Sequence, residues 1–399
     1  MSEKIPKGWK WVKLGEVAEV KLGQSPESKY YNDKGIGLPF LQGNKTFGYR
    51  YPEIDMFCSN PIKIARKGEI LISVRAPVGD INITNQDICI GRGLASINSL
   101  FNQNEFLFYF LKYSKNDLLA SETGTVFGSI NKDILNNFPI PLPPLPEQKA
   151  IAEVLSSIDD KIDLLHRQNK TLEEMAMTLF RQWFMGDNIS NDIIELGSLV
   201  DIISGVSYKS TDLNPSTTAM VSLKCFDRNG GFRIDGFKEF TGNYKEQHIV
   251  KEGDLIVAHT DITQDAEVIG NPAIVISNPK YTKMVISMDI VKVIPKVNWI
   301  SIEFLYFLMR TREFKGHCEG SANGSTVLHL SKQAIPTFEF KTPKREMVIE
   351  FTKQAKELLN KTFLNQRQIL TLIHLRDTLL PKLMSGEVRV KVENNEIKG

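Results

Sequence analysis

The stretch Phe138-Pro139-Ile140-Pro141-Leu142-Pro143-Pro144-Leu145-Pro146 runs directly into residues 147–183, which contain neither proline nor glycine. Each proline pushes the residue before it away from helical geometry, so the strip must be extended. Beyond Glu147 the period changes. Ile151, Ile158, Leu165, Leu172 and Leu179 step by seven, and Leu155, Ile162, Asn169, Ala176 and Trp183 follow each of them by four. That is a heptad seam with one polar interruption, the pattern of a helix paired along its length with another. A second stretch free of proline and glycine runs over 344–380. There Phe351, Leu358, Asn365, Leu372 and Leu379 step by seven, with Ala355, Thr362, Ile369, Arg376 and Leu383 between them. Helices of ~36 residues would each be ~54 Å long at 1.5 Å per residue.

Working outward, the chain repeats itself with a period of about 182–200 residues, and a repeat of that length means two copies of a whole domain. Leu14-Gly15-Glu16-Val17 returns as Leu196-Gly197-Ser198-Leu199, and Gly23-x-Ser25 as Gly205-x-Ser207. Gly68-Glu69-Ile70-Leu71-Ile72 returns as Gly253-Asp254-Leu255-Ile256-Val257. Glu105-Phe106-Leu107-Phe108-Tyr109 returns as Glu303-Phe304-Leu305-Tyr306-Phe307. Gly124-Thr125-Val126, Lys132, Phe138 and Pro143 return as Gly324-Ser325-Thr326, Lys332, Phe338 and Pro343. The order is shared, and the drift in offset places the length differences in loops. In each copy the apolar run after the Gly-acidic turn, Ile70–Val74 or Leu255–Ala258, reads as a buried strand.

The expected architecture is α+β: two similar mixed α/β domains, at 1–145 and 188–343, separated by two long helices that form an antiparallel coiled coil. The helices occupy 146–187 and 344–399, the latter with the C-terminal tail. Within the seams, Asn169 and Asn365 each lie near the middle. Placed opposite each other, they bring Gln148 opposite Gly386 and Phe184 opposite Glu350, so the helices overlap over nearly their whole length. Two facing carboxamides satisfy one another, whereas either against leucine leaves a polar group unpaired at a cost of ~1–3 kcal/mol. The pair is expected to fix register; the alternative is that each Asn faces a solvated notch.

Composition excludes several classes. The 399 residues carry 49 basic and 47 acidic side chains, a net +2. Residues 1–145 hold 17 and 14 of these, residues 188–343 hold 16 and 18, so nucleic-acid binding requires a local basic face. No run approaches a membrane span, and Met-Ser-Glu-Lys-Ile-Pro-Lys opens no secretory signal. Cys58, Cys89, Cys225 and Cys318 are far apart and form no CxxC pair, which reads as reduced thiols in a cytoplasmic protein. No GxxxxGK[ST], HExxH or GxSxG occurs, and Gly91-Arg92-Gly93 lacks the third glycine of a dinucleotide site. Ser277-Asn278-Pro279-Lys280-Tyr281 brushes against the Asn-Pro-Pro-aromatic tetrad of amino-methyltransferases, but Lys280 replaces the second proline, and a turn explains it better. Neither a catalytic constellation nor a metal set is expected. Polar loops with basic and aromatic residues interleaved offer instead the side chains that read base edges and hold phosphates. The candidates are Gln42, Asn44, Lys45, Arg50, Arg75 and Thr125 in the first copy, and Lys224, Arg228, His259, Thr260 and Ser325 in the second. The same loops, taken alone, also fit the solvated rim of a β domain.

The proline–helix junction Pro141-Leu142-Pro143-Pro144-Leu145-Pro146-Glu147-Gln148-Lys149-Ala150-Ile151 resembles the first conserved region of specificity subunits from type I restriction–modification enzymes. Residues 375–388, Leu-Arg-Asp-Thr-Leu-Leu-Pro-Lys-Leu-Met-Ser-Gly-Glu-Val, resemble their C-terminal region. Lys13-Leu14-Gly15-Glu16-Val17 and Glu195-Leu196-Gly197 are similar to the starts of their target-recognition domains. The second junction departs from the pattern, with Lys341-Thr342-Pro343-Lys344-Arg345-Glu346 in place of the Leu-Pro-Glu-Gln string. The resemblance implies that each globular half reads one part of a split duplex DNA target. It implies that the helices space the halves and dock two methyltransferase subunits, joined in turn by motor-nuclease subunits. S-adenosylmethionine, ATP and magnesium would belong to those partners, and this chain alone would catalyse nothing. Recognition loops vary freely in the family, so no residue role carries over. A stand-alone DNA methyltransferase and a non-catalytic tandem-repeat scaffold remain as alternative readings.

Overall fold

The computed structural model describes residues 5–120, 129–186, 191–228, 230–262, 266–324 and 327–390. The chain divides into two compact units, Met1–Arg167 with Gln366–Gly399, and Gln168–Asn365. The divisions fall inside the long helices, not at their ends. Each unit therefore holds one globular half and half of both helices, because the helices bury their apolar faces on the globular halves as well as on each other.

In the first unit, Lys10–Lys13 pairs antiparallel with Pro139–Leu142, register Val12↔Ile140. Prolines 139 and 141 are tolerated there because a two-stranded ribbon leaves one side of each strand without a ladder partner. A four-stranded sheet has the order Ala18–Leu22, Leu94–Ser99, Ile70–Ser73, Ile81–Ile83. Ile70–Ser73 is wholly buried at its centre. The helix Asn104–Tyr113 packs here, with Phe106–Leu111 in the core. A second sheet runs Tyr31–Asn32, Phe57–Cys58, Leu38–Leu41, Ile88–Ile90, Ile64–Ala65, the pair Leu38–Leu41 and Ile88–Ile90 being parallel.

The second unit repeats this order. Ile193–Glu195 pairs with Glu339–Lys341. Val200–Ser204, Ile290–Pro295, Leu255–Ala258 and Pro272–Ile274 form the first sheet, and Ile302–Met309 is the core helix. Lys238–Glu239, Thr218–Val221, Lys283–Ile286 and Ile249–Val250 form the second sheet, again with one parallel pair. A further sheet of Thr260–Asp261, Leu328–Leu330 and Ala322–Asn323 has no described counterpart in the first unit.

The repeated residues recur because they do the same physical work. A Cβ at Gly23 would stand 2.2 Å from the Gly91 carbonyl oxygen, and at Gly205 it would stand 2.1 Å from that of Ser287. Only glycine lets the backbone approach so closely. Gly68 and Gly253 both take left-handed turns, at φ +85° and +90°. The acid after each is tied down by a lysine. Lys21 lies 3.8 Å from Glu69 and donates to the Ile64 carbonyl; Lys292 lies 2.7 Å from Asp254 and donates to the Ile249 carbonyl. The lysine comes from the edge strand in one copy and from its neighbour in the other, yet in both it ties the first sheet to the second.

The long helices span Leu145–Phe184 and Arg345–Met384, 40 residues each. The first begins two residues before Glu147, since Pro146 in the opening turn loses no helical hydrogen bond. Pro144 O accepts from the Glu147 and Gln148 amides, and the Gln148 side chain donates to Pro143 O at 2.8 Å. Glu147 accepts from the Trp9 indole and from Arg389, which gives the Pro-Glu-Gln string a structural role at the N- and C-terminal ends of the first unit. The second helix does not stop at Pro381. It continues to Met384, where buried Leu383 and Met384 offset the lost backbone bond.

Along the seam, Ile158, Ile162 and Leu165 cluster with Ile369 in the first unit. In the second, Trp183 and Phe351 stack edge to face at 6.3 Å between ring centroids. Phe180 and Phe184 lie off the heptad pattern and turn toward Phe304 of the globular half. Asn365 Nδ2 donates to Asn169 Oδ1 at 2.8 Å, with the two residues 1% and 7% exposed. Asn169 Nδ2 is buried with no partner among the described residues.

Replacing Asn169 with Leu should strand the Asn365 amide and lower stability by ~1–3 kcal/mol in urea denaturation. The double replacement Asn169→Leu with Asn365→Leu should recover most of that loss, giving a positive coupling energy between the two sites. Additive losses would mean that the two side chains do not depend on each other.

Candidate nucleic-acid interface

In the first unit, four loops converge at one edge of the sheets. Gln24 N donates to Ile90 O (3.0 Å), Gly91 N to Leu41 O (2.8 Å), Gly93 N to Gln42 O (3.1 Å) and Val74 N to Gly93 O (2.9 Å). These bonds gather Gly23–Ser25, Gln42–Lys45, Arg75–Pro77 and Gly91–Gly93. The Gln42 carboxamide oxygen accepts from Ser25 Oγ at 2.9 Å, and Ser25 Oγ accepts in turn from the Arg92 amide at 3.2 Å. Gln42 is thus held by its oxygen while its amide nitrogen has no partner among the described residues. Gln24, Gln42, Lys45, Arg75 and Arg92 are all exposed. Nearby, an open groove between Glu19–Leu22 and Ile62–Arg66 is lined by Lys21, Lys63, Arg66 and Lys132. Of these charges Arg66 is paired with Asp87 at 2.6 Å and Lys21 lies 3.8 Å from Glu69, and Glu19 also lines the groove.

The second unit builds the same junction from equivalent strands. Val206 N donates to Ile286 O, Met288 N to Val206 O, Ser287 N to Val221 O and His259 N to Asp289 O, at 2.8–2.9 Å. Lys224 and Arg228 are exposed, the latter 3.2 Å from Glu267. Half-buried His259 is held below the usual imidazole range by burial, then by His329 and Lys332 beside it. Its neighbour His329 is exposed and lies 3.3 Å from Thr260 Oγ1.

The structure corrects three of the expected positions. Arg50 is 2% exposed and its guanidinium is spent inside the fold, donating to Tyr51, Tyr109 and Glu105. A buried cation ringed by carboxylates is a packing element, not a base reader. Thr260 is 4% exposed and sits in a ladder pair with His329. Asn44 is half-buried, its amide nitrogen committed to Asp80 at 2.6 Å and to the Pro77 carbonyl. Gln42, Lys45 and Arg75 are exposed around one junction, as are Lys224 and Arg228 on a single loop of the second half. Thr125 and Ser325 lie outside the described residues. The two junctions also hold Arg92, Gln24 and Ser25, and in the second half His329, none of which sequence reasoning selected as a candidate. The signal was present in the repeated Gly-x-Ser and in Gly91-Arg92-Gly93, whose glycines let the loops touch.

Known proteins agree with this architecture. A family model described as the type I restriction modification DNA specificity domain matches residues 6–174. The type I restriction enzyme MjaIX specificity subunit of Methanocaldococcus jannaschii is 25% identical over 97% of this chain and 95% of its own length. The chain is thus similar to specificity subunits of type I restriction–modification enzymes, over residues 6–174 by the family model and over nearly its whole length by the MjaIX relative. The putative MjaX specificity subunit of the same organism is 46% identical over 174 residues, so this match spans 43% of the chain and 41% of that relative. The crystal structure of a type I restriction–modification S subunit from M. genitalium superposes with a TM-score of 0.58 at 18% identity, covering 96% of this chain and 97% of that one, which shows a shared fold. Among the described residues, no group of three or more His, Cys, Asp or Glu is placed to hold a metal, and no helix is long and apolar enough to cross a membrane.

Arg50 and Arg92 separate a buried packing role from an exposed place at the junction. Replacing Arg50 with Gln should lower stability by ~1–3 kcal/mol, because it removes the hydrogen bonds to the buried Tyr109 hydroxyl and to Glu105. Replacing Arg92 with Ala should change the unfolding free energy in urea by no more than ~0.5 kcal/mol while weakening DNA binding. Equal effects of both on stability would refute the distinction.

Proposed function

We propose that this chain is the sequence-reading subunit of a type I restriction–modification assembly, with each globular half reading one part of a split duplex target. One observation carries the reading. The same junction of exposed polar and basic loops is built twice, on equivalent strands, by residues that differ at the positions facing solvent. A repeated scaffold with divergent loop side chains suits two readers of different sequence. Side chains such as Gln42, Arg75 and Arg92 would meet base edges, and Lys63, Lys132 and Lys224 the phosphates. The helix pair, on this reading, spaces the halves and docks two methyltransferase subunits, with motor-nuclease subunits joining them. S-adenosylmethionine, ATP and magnesium belong to those partners, and methyl transfer and cleavage with them. The purified chain, given cofactor and ATP, should neither methylate DNA nor hydrolyse ATP.

Mapping methylated positions in host DNA with and without the gene should reveal one split motif that depends on this chain. Exchanging residues 1–145 for a family member's equivalent should then change one half of that motif and leave the other. Salt dependence should be steep, since each phosphate contact releases counterions. Change of the whole motif in the chimera, or its persistence without the gene, would defeat the reading.

The spacer makes a separate prediction. One heptad added at matched points of both helices should lengthen it by ~10 Å, favouring a gap ~3 base pairs longer at 3.4 Å per pair. Seven residues added to one helix should abolish pairing and activity. An active double insertion with an unchanged gap would show that the helices do not set spacing.

A further inference from the structure

In each half, the loop that follows the same strand is held against an acid of the first long helix. In the first unit this loop leaves Leu38–Leu41, carries Gln42 and Lys45, and ends at Tyr49-Arg50. Tyr49 Oη donates to Asp159 Oδ1 at 2.7 Å and accepts from Arg376 of the second long helix. Asp159 is wholly buried and also accepts from Tyr109 Oη (2.9 Å) and Arg376 Nη1 (3.1 Å). In the second unit the equivalent loop leaves Thr218–Val221, carries Lys224 and Arg228, and returns through Gly230-Gly231. Gly230 rests on the Arg310 guanidinium, where a Cβ would stand 3.3 Å from Cζ. Arg310 pairs with Glu173, which also accepts from Tyr306 Oη. Asn271 Nδ2 holds the Arg228 carbonyl from the other side at 3.1 Å.

The two arrangements do not correspond residue by residue. One uses a tyrosine of the loop itself, the other an arginine beneath a glycine. The acids stand at different points of the helix. The shared outcome is that each loop rests on an acid of the first long helix, directly through the Tyr49 hydroxyl in the first unit and through the Arg310 side chain, against which Gly230 packs, in the second. Reading a base edge requires placement within ~0.5 Å, which a loop of this length does not supply alone. A buried ion network adds little net stability for its cost, but it does fix geometry.

We propose that Asp159 and Glu173 are positioning residues for sequence reading: each mounts the reading loop of its own half on the first long helix, so base discrimination depends on side chains that act only through that loop. This rests on the reading of DNA proposed above. The test uses the full chain assembled with its methyltransferase subunits, and wild-type binding to the mapped motif is measured first; its failure would refute DNA reading itself. Binding is then measured to duplexes carrying single base changes in either half. Tyr49→Phe keeps the ring and removes the hydroxyl that reaches Asp159. It should reduce discrimination about tenfold in the half assigned to residues 1–145, the size of one lost base contact, and leave the other half and the salt slope unchanged. Glu173→Gln should do the converse. Tyr306→Phe, which removes one hydroxyl from Glu173 but keeps the Arg310 pair, should lose less discrimination than Glu173→Gln and in the same half only, and thermal melting of every variant separates loosening from unfolding. Discrimination that is unchanged, or lost equally in both halves by either variant, would overturn the proposal.

Discussion

A buried amide that has lost water needs a partner, and the hydrogen bond to Asn169 meets that need for the Asn365 amide in a mostly apolar seam. Apolar side chains alone leave the pairing of two 40-residue helices degenerate, since leucine packs against isoleucine in many registers. A slip of one heptad would set Asn169 against Leu358 or Leu372 and strand both carboxamides, at ~1–3 kcal/mol each. Other contacts depend on the same alignment. Arg376 reaches Asp159 in one unit, and Phe351 meets Trp183 and Phe184 in the other.

The internal repeat is a record of physical requirements more than of residues. Where backbone approaches backbone, the residue itself is retained, as at Gly23 and Gly205. Where a charge must be neutralised, only the interaction is retained. Lys21 and Lys292 sit on different strands and still bind an acid and a carbonyl in equivalent places. The loop anchors have drifted further, sharing an acid of the first long helix and little else.

The fold was largely legible because its signals are periodic or punctuated. Seven-residue steps marked the helices, Gly-acidic turns marked the central strands, and the proline strip marked the ribbon strand Pro139–Leu142. Phe180 and Phe184 escaped the heptad reading because a helix that also packs on a globular half needs a second apolar face. The site was less legible. Basic residues interleaved with aromatics describe both an exposed reading loop and a buried ion network, and Arg50 belongs to the second. Only the partners distinguish them, and Asp159 and Glu105 are remote in sequence. Arg92 was hidden for the opposite reason: its one signal is the pair of flanking glycines, which let loops 23–25 and 42–45 close around it.

The central claim is that two separate junctions of this chain read two separate blocks of bases. A base-by-base chemical interference footprint of the assembled complex tests it most directly. Two blocks of interference separated by an indifferent gap are predicted, with Gln42→Ala and Arg92→Ala erasing positions in one block only. A single continuous block, or erasure in both blocks by changes confined to the first junction, would contradict it.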